Sequence, residues 1–166
     1  MTTERQREKA RWLRRLRSGL VVLAALGTFS GPVRAAEERI VVDPNSGLAL
    51  SGADPVAYFT DGKPVFGRPE LEVSEFGTVW RFRNAGNKAA FIAHPEVYRP
   101  QFGGYDPVAI GRGLSVRGHP LIWSVTGDRL YLFYSEADRA AFLAEPDRII
   151  AAAERHWPEV ARTAGR

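Results

Sequence analysis

Trp80–Tyr98 (WRFRNAGNKAAFIAHPEVY) and Tyr131–Ile149 (YLFYSEADRAAFLAEPDRI) align without gaps at a shift of 51 residues, and six positions are identical. The differing positions keep their chemistry where it matters: Trp80 faces Tyr131, Asn84 faces Ser135, Lys88 faces Arg139, Ile92 faces Leu143 and Glu96 faces Asp147. Each copy reads as a strand, a cap, a helix and a stop. Large apolar residues at every second position favour a half-buried strand, and Asn84 or Ser135 supplies an N-cap oxygen. The A-A-F-(I/L)-A run then gives one apolar helical face, which Pro95 or Pro146 closes. Ser135 to Asp138 resembles a capping box with Asp in place of Glu.

Outward from these copies, the preceding residues complete a hairpin in each case. Leu71–Phe82 is expected to turn near Phe76-Gly77, and Leu121–Tyr134 at Gly127-Asp128. The reading is a small single α+β domain of two hairpin-plus-helix units, a pseudo-repeat sharing one core and an antiparallel sheet. Two copies are too few for a solenoid. Pro146 is expected to open a second short helix over Asp147–His156. Residues 36–47 read as a lead-in, with Glu37–Asn45 a plain lead-in or an edge strand, residues 48–160 as the domain, and 161–166 as a frayed tail. Between lead-in and first hairpin, Asp54–Phe59 predicts a turn of helix and Lys63–Phe66 an extended segment. Trp80, Phe82, Phe91, Trp123, Tyr131, Phe133, Phe142 and Trp157 fall at inward positions and are assigned to the core.

The beginning of the chain carries an address. Arg5, Arg7, Lys9, Arg11, Arg14, Arg15 and Arg17 precede the apolar run Gly19–Phe29. A basic segment followed by about eleven apolar residues, against the roughly twenty that span a bilayer, reads as a cleavable secretion signal over residues 1–35. Val33-Arg34-Ala35 suits cleavage before Ala36, or one residue later. Arg14-Arg15 leaves twin-arginine export open beside general secretion. The protein is thus expected to be periplasmic or secreted, with no permanent membrane span after cleavage.

That address also accounts for the charge. The whole chain has 23 Lys and Arg against 19 Asp and Glu. Residues 1–35 hold eight of the basic residues and two acids, leaving 15 against 17. With no basic stripe remaining, no nucleic-acid partner is expected. There is no cysteine, and Met1 is the sole methionine. Disulfides and thiolate metal sites are therefore excluded, and a divalent metal would need oxygen and nitrogen ligands.

Three stretches carry a family likeness: Gly52-Ala53-Asp54-Pro55-Val56-Ala57-Tyr58-Phe59, then Ala89–Tyr105 (AAFIAHPEVYRPQFGGY), then Trp157-Pro158. Together they resemble the YHS domain family in its exported bacterial branch, over roughly residues 48 to 158. The resemblance implies the fold and the exported location more than an activity. Other YHS-like domains accompany heavy-metal transport and oxygenase proteins and are supposed to bind metal through cysteines. After Gly103-Gly104-Tyr105, where such proteins often have Cys, this chain has Asp106, so a thiolate site does not carry over.

The segment between the two copies, Arg99–Pro120 (RPQFGGYDPVAIGRGLSVRGHP), has five glycines and three prolines in 22 residues. A loop of that length in a small domain is usually either functional or loosely ordered. One reading places Tyr105 and Asp106 with Tyr58 and Tyr98 at the rim of a ligand pocket, with Arg112 and Arg117 available to an anionic ligand. The other has the tyrosines packing and Asp106 capping an Asp-Pro turn. Gly111-Arg112-Gly113 lacks the context of a phosphate loop and reads as a turn. His94, His119 and His156 show no spacing that sets two on one face. A hard-ion site would draw on Asp54, Asp106 and His119. Nothing demands an enzyme, since no nucleophile elbow or cysteine is present, and Asp106 with His119 is the least favoured acid–base pair. The expected role is a non-catalytic exported module binding a small ligand or hard metal ion, or else docking an envelope protein.

Overall fold

The computed structural model describes residues 39–164, all within one compact unit. The expected secretion signal, the first residues of the lead-in and the last two residues of the tail lie outside the described residues. The elements in order are a 3-10 turn (Leu50–Gly52), α1 (Ala57–Thr60), β1 (Arg68–Glu75), β2 (Thr78–Phe82), α2 (Ala85–Ala93) and α3 (Pro95–Tyr98). A second 3-10 turn (Gln101–Gly104) follows, then α4 (Pro107–Ile110), β3 (His119–Thr126), β4 (Arg129–Phe133), α5 (Glu136–Ala144) and α6 (Pro146–Thr163). The protein is α+β, with β1–β2 and β3–β4 forming two separate two-stranded antiparallel sheets in place of one.

Both hairpins turn where the sequence indicates. Phe76 and Gly77 have φ of 54° and 71°, and Gly127 and Asp128 have 57° and 56°. Two consecutive positive values match the twist of a tight two-residue hairpin. Register shifts between Arg68 and Glu72 in β1, and between His119 and Trp123 in β3, bend each first strand. Just before each bend sits a glycine that no other residue can replace without movement. A Cβ on Gly67 would lie 2.5 Å from the backbone of Arg81 and Phe82, and one on Gly118 would lie 2.6 Å from Leu132 Cβ.

The caps also form as expected. Asn84 Oδ1 accepts from Asn87 N–H at 2.8 Å, and Ser135 Oγ accepts from Asp138 N–H at 3.1 Å. The shorter Asp138 carboxylate accepts from the Ser135 hydroxyl at 2.6 Å, which completes the interaction side chain to side chain. Residues His94 and Glu145 leave the helical region at φ/ψ of −141°/60° and −142°/61°, and the prolines that follow them start α3 and α6.

Strand β4 divides the interior. Alternate side chains of a strand point to opposite faces. Leu130 and Leu132 pack with Ala49, Tyr58, Trp80, Phe82 and Phe91, while Tyr131 and Phe133 pack with Tyr105, Ile110, Phe142, Ile149 and Ala153. The expected single shared core is therefore two clusters with β4 as their common wall. Ring contacts correspond across it. Phe91 meets Trp80 and Phe82 at 4.8 and 5.3 Å, and Phe142 meets Tyr131 and Phe133 at 4.8 and 5.1 Å. Trp123 and Trp157 are only half-buried, at the edges of these clusters.

The structure decides three further expectations. Of the two readings of Glu37–Asn45, its described residues form a lead-in with one antiparallel bridge, Val42 to Ala49, and no edge strand. The helix expected over Asp147–His156 extends to Thr163, so the chain is not frayed from residue 161, and Ala164 is fully buried. Pro158 lies within α6 because its missing N–H costs one bond, to a carbonyl on an exposed turn, while Ile149, Ala153 and Val160 keep the other face buried. Finally, Arg99–Pro120 is not an open loop. It forms the second 3-10 turn and α4, and Tyr105 bridges Arg117. Among the described residues no helix is long and apolar enough to cross a membrane.

Candidate functional site

The two buried aspartates are structural anchors. Asp106 is wholly buried. Its Oδ1 accepts from Val108 N–H at 2.7 Å and Ala109 N–H at 3.3 Å, capping α4, and its Oδ2 accepts from Tyr134 N–H at 2.7 Å. Asp54 is wholly buried too. Its Oδ1 accepts from Val56 N–H at 2.9 Å, and its Oδ2 accepts from Arg83 N–H at 2.9 Å and Asn87 Nδ2 at 2.7 Å. Each carboxylate thus ties an Asp-Pro-Val-Ala turn to the residue that leaves the second strand of a hairpin. The sequence carried the signal, since Asp54–Ala57 and Asp106–Ala109 are both DPVA. Burial pushes the Asp106 carboxyl above the ordinary carboxylate range, against the opposing pull of the Tyr134, Val108 and Ala109 amides.

These bonds overturn the proposed metal ligands. Among the described residues no three His, Asp or Glu side chains are grouped so as to hold a metal ion, so Asp54, Asp106 and His119 do not converge. The carboxylate oxygens that would serve are committed to N–H donors. The oxygen-and-nitrogen site expected of Asp54, Asp106 and His119 therefore does not form among the described residues. The acid–base pair fails for the same reason, because Asp106 bonds to three amides and His119 Nδ1 accepts from Leu121 N–H at 3.2 Å.

The expected tyrosine rim is likewise dispersed. Tyr58 is buried, donates its hydroxyl to Pro120 O at 2.9 Å, and meets Trp123 edge-on at 5.2 Å. Burial, and then the charge of Asp54, hold its phenol far above the usual range, so it is a neutral donor. Tyr98 packs edge-on against Phe59 at 5.4 Å, and Tyr105 is buried against Trp157 at 5.9 Å. Arg112 is exposed on the turn that ends α4.

A cleft of about 200 Å³ lies elsewhere along the same segment. Pro100, Gly103, Gly104 and residues 117–120 form one side, and Val41–Pro44 with Leu50, Ser51 and Leu132 form the rest. Its walls are held by backbone bonds: Val41 N–H donates to Gly103 O at 2.7 Å, and Gly118 N–H donates to Gly104 O at 3.0 Å. The Tyr58 hydroxyl fixes Pro120 from behind. Leu50 and Ser51 both adopt φ of 52°, two successive side-chain-bearing residues in the left-handed region at the cleft wall. Such residues cost roughly 1 kcal/mol or more each and cluster at binding sites. Of the residues singled out for a site, His119 and Arg117 line this cleft, and the tyrosines, Asp54, Asp106 and Arg112 do not.

Compared with models of protein families, with curated proteins and with solved structures, the chain has no match.

Proposed function

We propose that this chain is an exported, non-catalytic binding module, YHS-like in its motifs, whose small-ligand site is the cleft between residues 41–51 and 100–120. The observation that carries the reading is the cleft itself, walled by strained but hydrogen-bonded backbone and lined mostly by apolar groups with a few polar ones. That lining is the usual character of a small-molecule site, while the volume is below the roughly 300 Å³ at which drug-sized ligands are accommodated. At roughly 30 Å³ per water, the space equals about six or seven waters, which suits a compact organic molecule. The non-catalytic part of the reading is supported by the buried carboxylates, which serve backbone amides. Export rests on the basic and apolar order of residues 1–35.

The test is amide shift mapping by NMR on the purified protein against a panel of small organic molecules. Shifts are expected to gather at Val42, Ser51, Gly104, Arg117, Gly118 and His119, and to vanish in Val42→Trp, which fills the space. Shifts spread away from these residues would reject the site.

A further inference from the structure

We infer that the ligand of this cleft is a small oxyanion-bearing molecule, gripped by the Arg117 guanidinium, the His119 Nε2–H and the Ser51 hydroxyl; this rests on the cleft being the binding site.

Four of the residues lining the cleft have polar side chains: Asp43, Ser51, Arg117 and His119. Asp43 is turned to local use. Its Oδ1 accepts from Asn45 N–H at 3.0 Å, Ser46 N–H at 2.8 Å and Ser46 Oγ at 3.0 Å. The other three are donors. The Arg117 guanidinium makes no hydrogen bond or ion pair with another described residue, and Arg keeps its charge at any ordinary pH. His119 Nδ1 accepts from Leu121 N–H, so a neutral ring carries its proton on Nε2, whose N–H remains to be given. The Ser51 hydroxyl also bonds no other described residue. Ser51 lines the cleft with a left-handed backbone, in a position where glycine would be unstrained.

Three donors, one of them permanently cationic, outnumber the one acid, whose Oδ1 is already bonded. Neutral ligands would leave the guanidinium without an acceptor as water is displaced, whereas a carboxylate or phosphate supplies charge-assisted partners. The cleft volume limits the anion to a few heavy atoms beyond its charged group.

The experiment titrates the purified protein with isobutyrate and with isobutyramide, which share a shape and differ in charge, and with inorganic phosphate, reading amide shifts and dissociation constants. Isobutyrate or phosphate is expected to shift Ser51, Arg117 and His119 and to bind about tenfold more tightly than the amide. Arg117→Gln should remove about that factor for the anions, leave isobutyramide unchanged and leave the fold intact, since the side chain is exposed. Preference for isobutyrate alone marks a carboxylate site, and preference for phosphate alone a phosphate site; either supports the inference. Equal binding of amide and anion, indifferent to Arg117→Gln, would overturn it while leaving the cleft as a binding site. No shift at cleft residues with any of the three would overturn the anion inference, and a silent panel of neutral molecules as well would remove the cleft itself.

Discussion

The Tyr134 amide donates to Asp106 Oδ2 at 2.7 Å, so the residue leaving β4 is fastened to the cap of α4, 28 positions earlier. Loss of this carboxylate strands three N–H groups in a dry environment. Each costs about 1–3 kcal/mol when left unmade. Asp106→Ala is therefore expected to lose about 3 kcal/mol or more in urea unfolding. Asp54→Ala should do the same through Val56, Arg83 and Asn87. Asp43→Ala, which touches only an exposed turn, should cost under about 1 kcal/mol. Similar losses at all three positions would deny the buried pair its anchoring role.

The same group sets a pH dependence. The folded protein holds the Asp106 proton more tightly than the unfolded chain, whose value is near 3.8. Its contribution to stability is complete below that value and is lost as pH rises through the higher folded value. Stability measured from pH 3.5 upward should show this fall in the wild type, and the difference curve against Asp106→Asn should isolate it. A contribution that grows with pH over the same window would reverse the sign.

Glycine substitutions separate close approach from conformation. A Cβ on Gly103 would lie 2.0 Å from Arg39 O, with φ at 62°, whereas one on Gly127, at 57°, meets nothing within 4 Å. Gly127→Ala should cost about 1 kcal/mol from its left-handed backbone alone. Gly103→Ala should cost more than twice that, or else lift residues 39–43 from the turn, which faster amide exchange at Val41 would report.

Tyr58→Phe removes the hydroxyl that holds Pro120 while keeping the ring against Trp123. A loss of about 1 kcal/mol in stability is expected. Weaker binding of isobutyrate should accompany it, because Pro120 lines the cleft. Unchanged binding with reduced stability would confine Tyr58 to the core.

The sequence showed its local signals clearly. Asn84 and Ser135 cap their helices, Pro95 and Pro146 start the next ones, and the two hairpins turn at Phe76-Gly77 and Gly127-Asp128. Each depends on chemistry within a few residues. The second DPVA was equally local, and its capping reading is the one that holds, while five nearby glycines made its surroundings look like a loop and kept a ligand role beside it. The helix expected to end at His156 runs on through Pro158 to Thr163, because the buried face of Ile149, Ala153 and Val160 continues beneath it. The cleft had no linear signature, because its walls come from residues 41–44, 50–51, 100–104 and 117–120, joined by backbone bonds. The division of the interior by β4 was hidden for a related reason. Alternation shows that both faces of RLYLF are apolar, and only the tertiary arrangement supplies a partner for each.

Arg39 donates its guanidinium to Ala164 O at 2.8 Å, so the two ends of the described chain are within one side chain's reach. A short linker could join them, and the chain could be opened instead at Gly77, which is exposed and where an added Cβ would meet nothing within 4 Å. Such a circular permutant would be synthesised with β2 first and β1 last. If it folds, the order in which the hairpins leave the ribosome is immaterial to the architecture, and residues 39–44 become an internal connection whose length can be varied to widen or narrow the cleft.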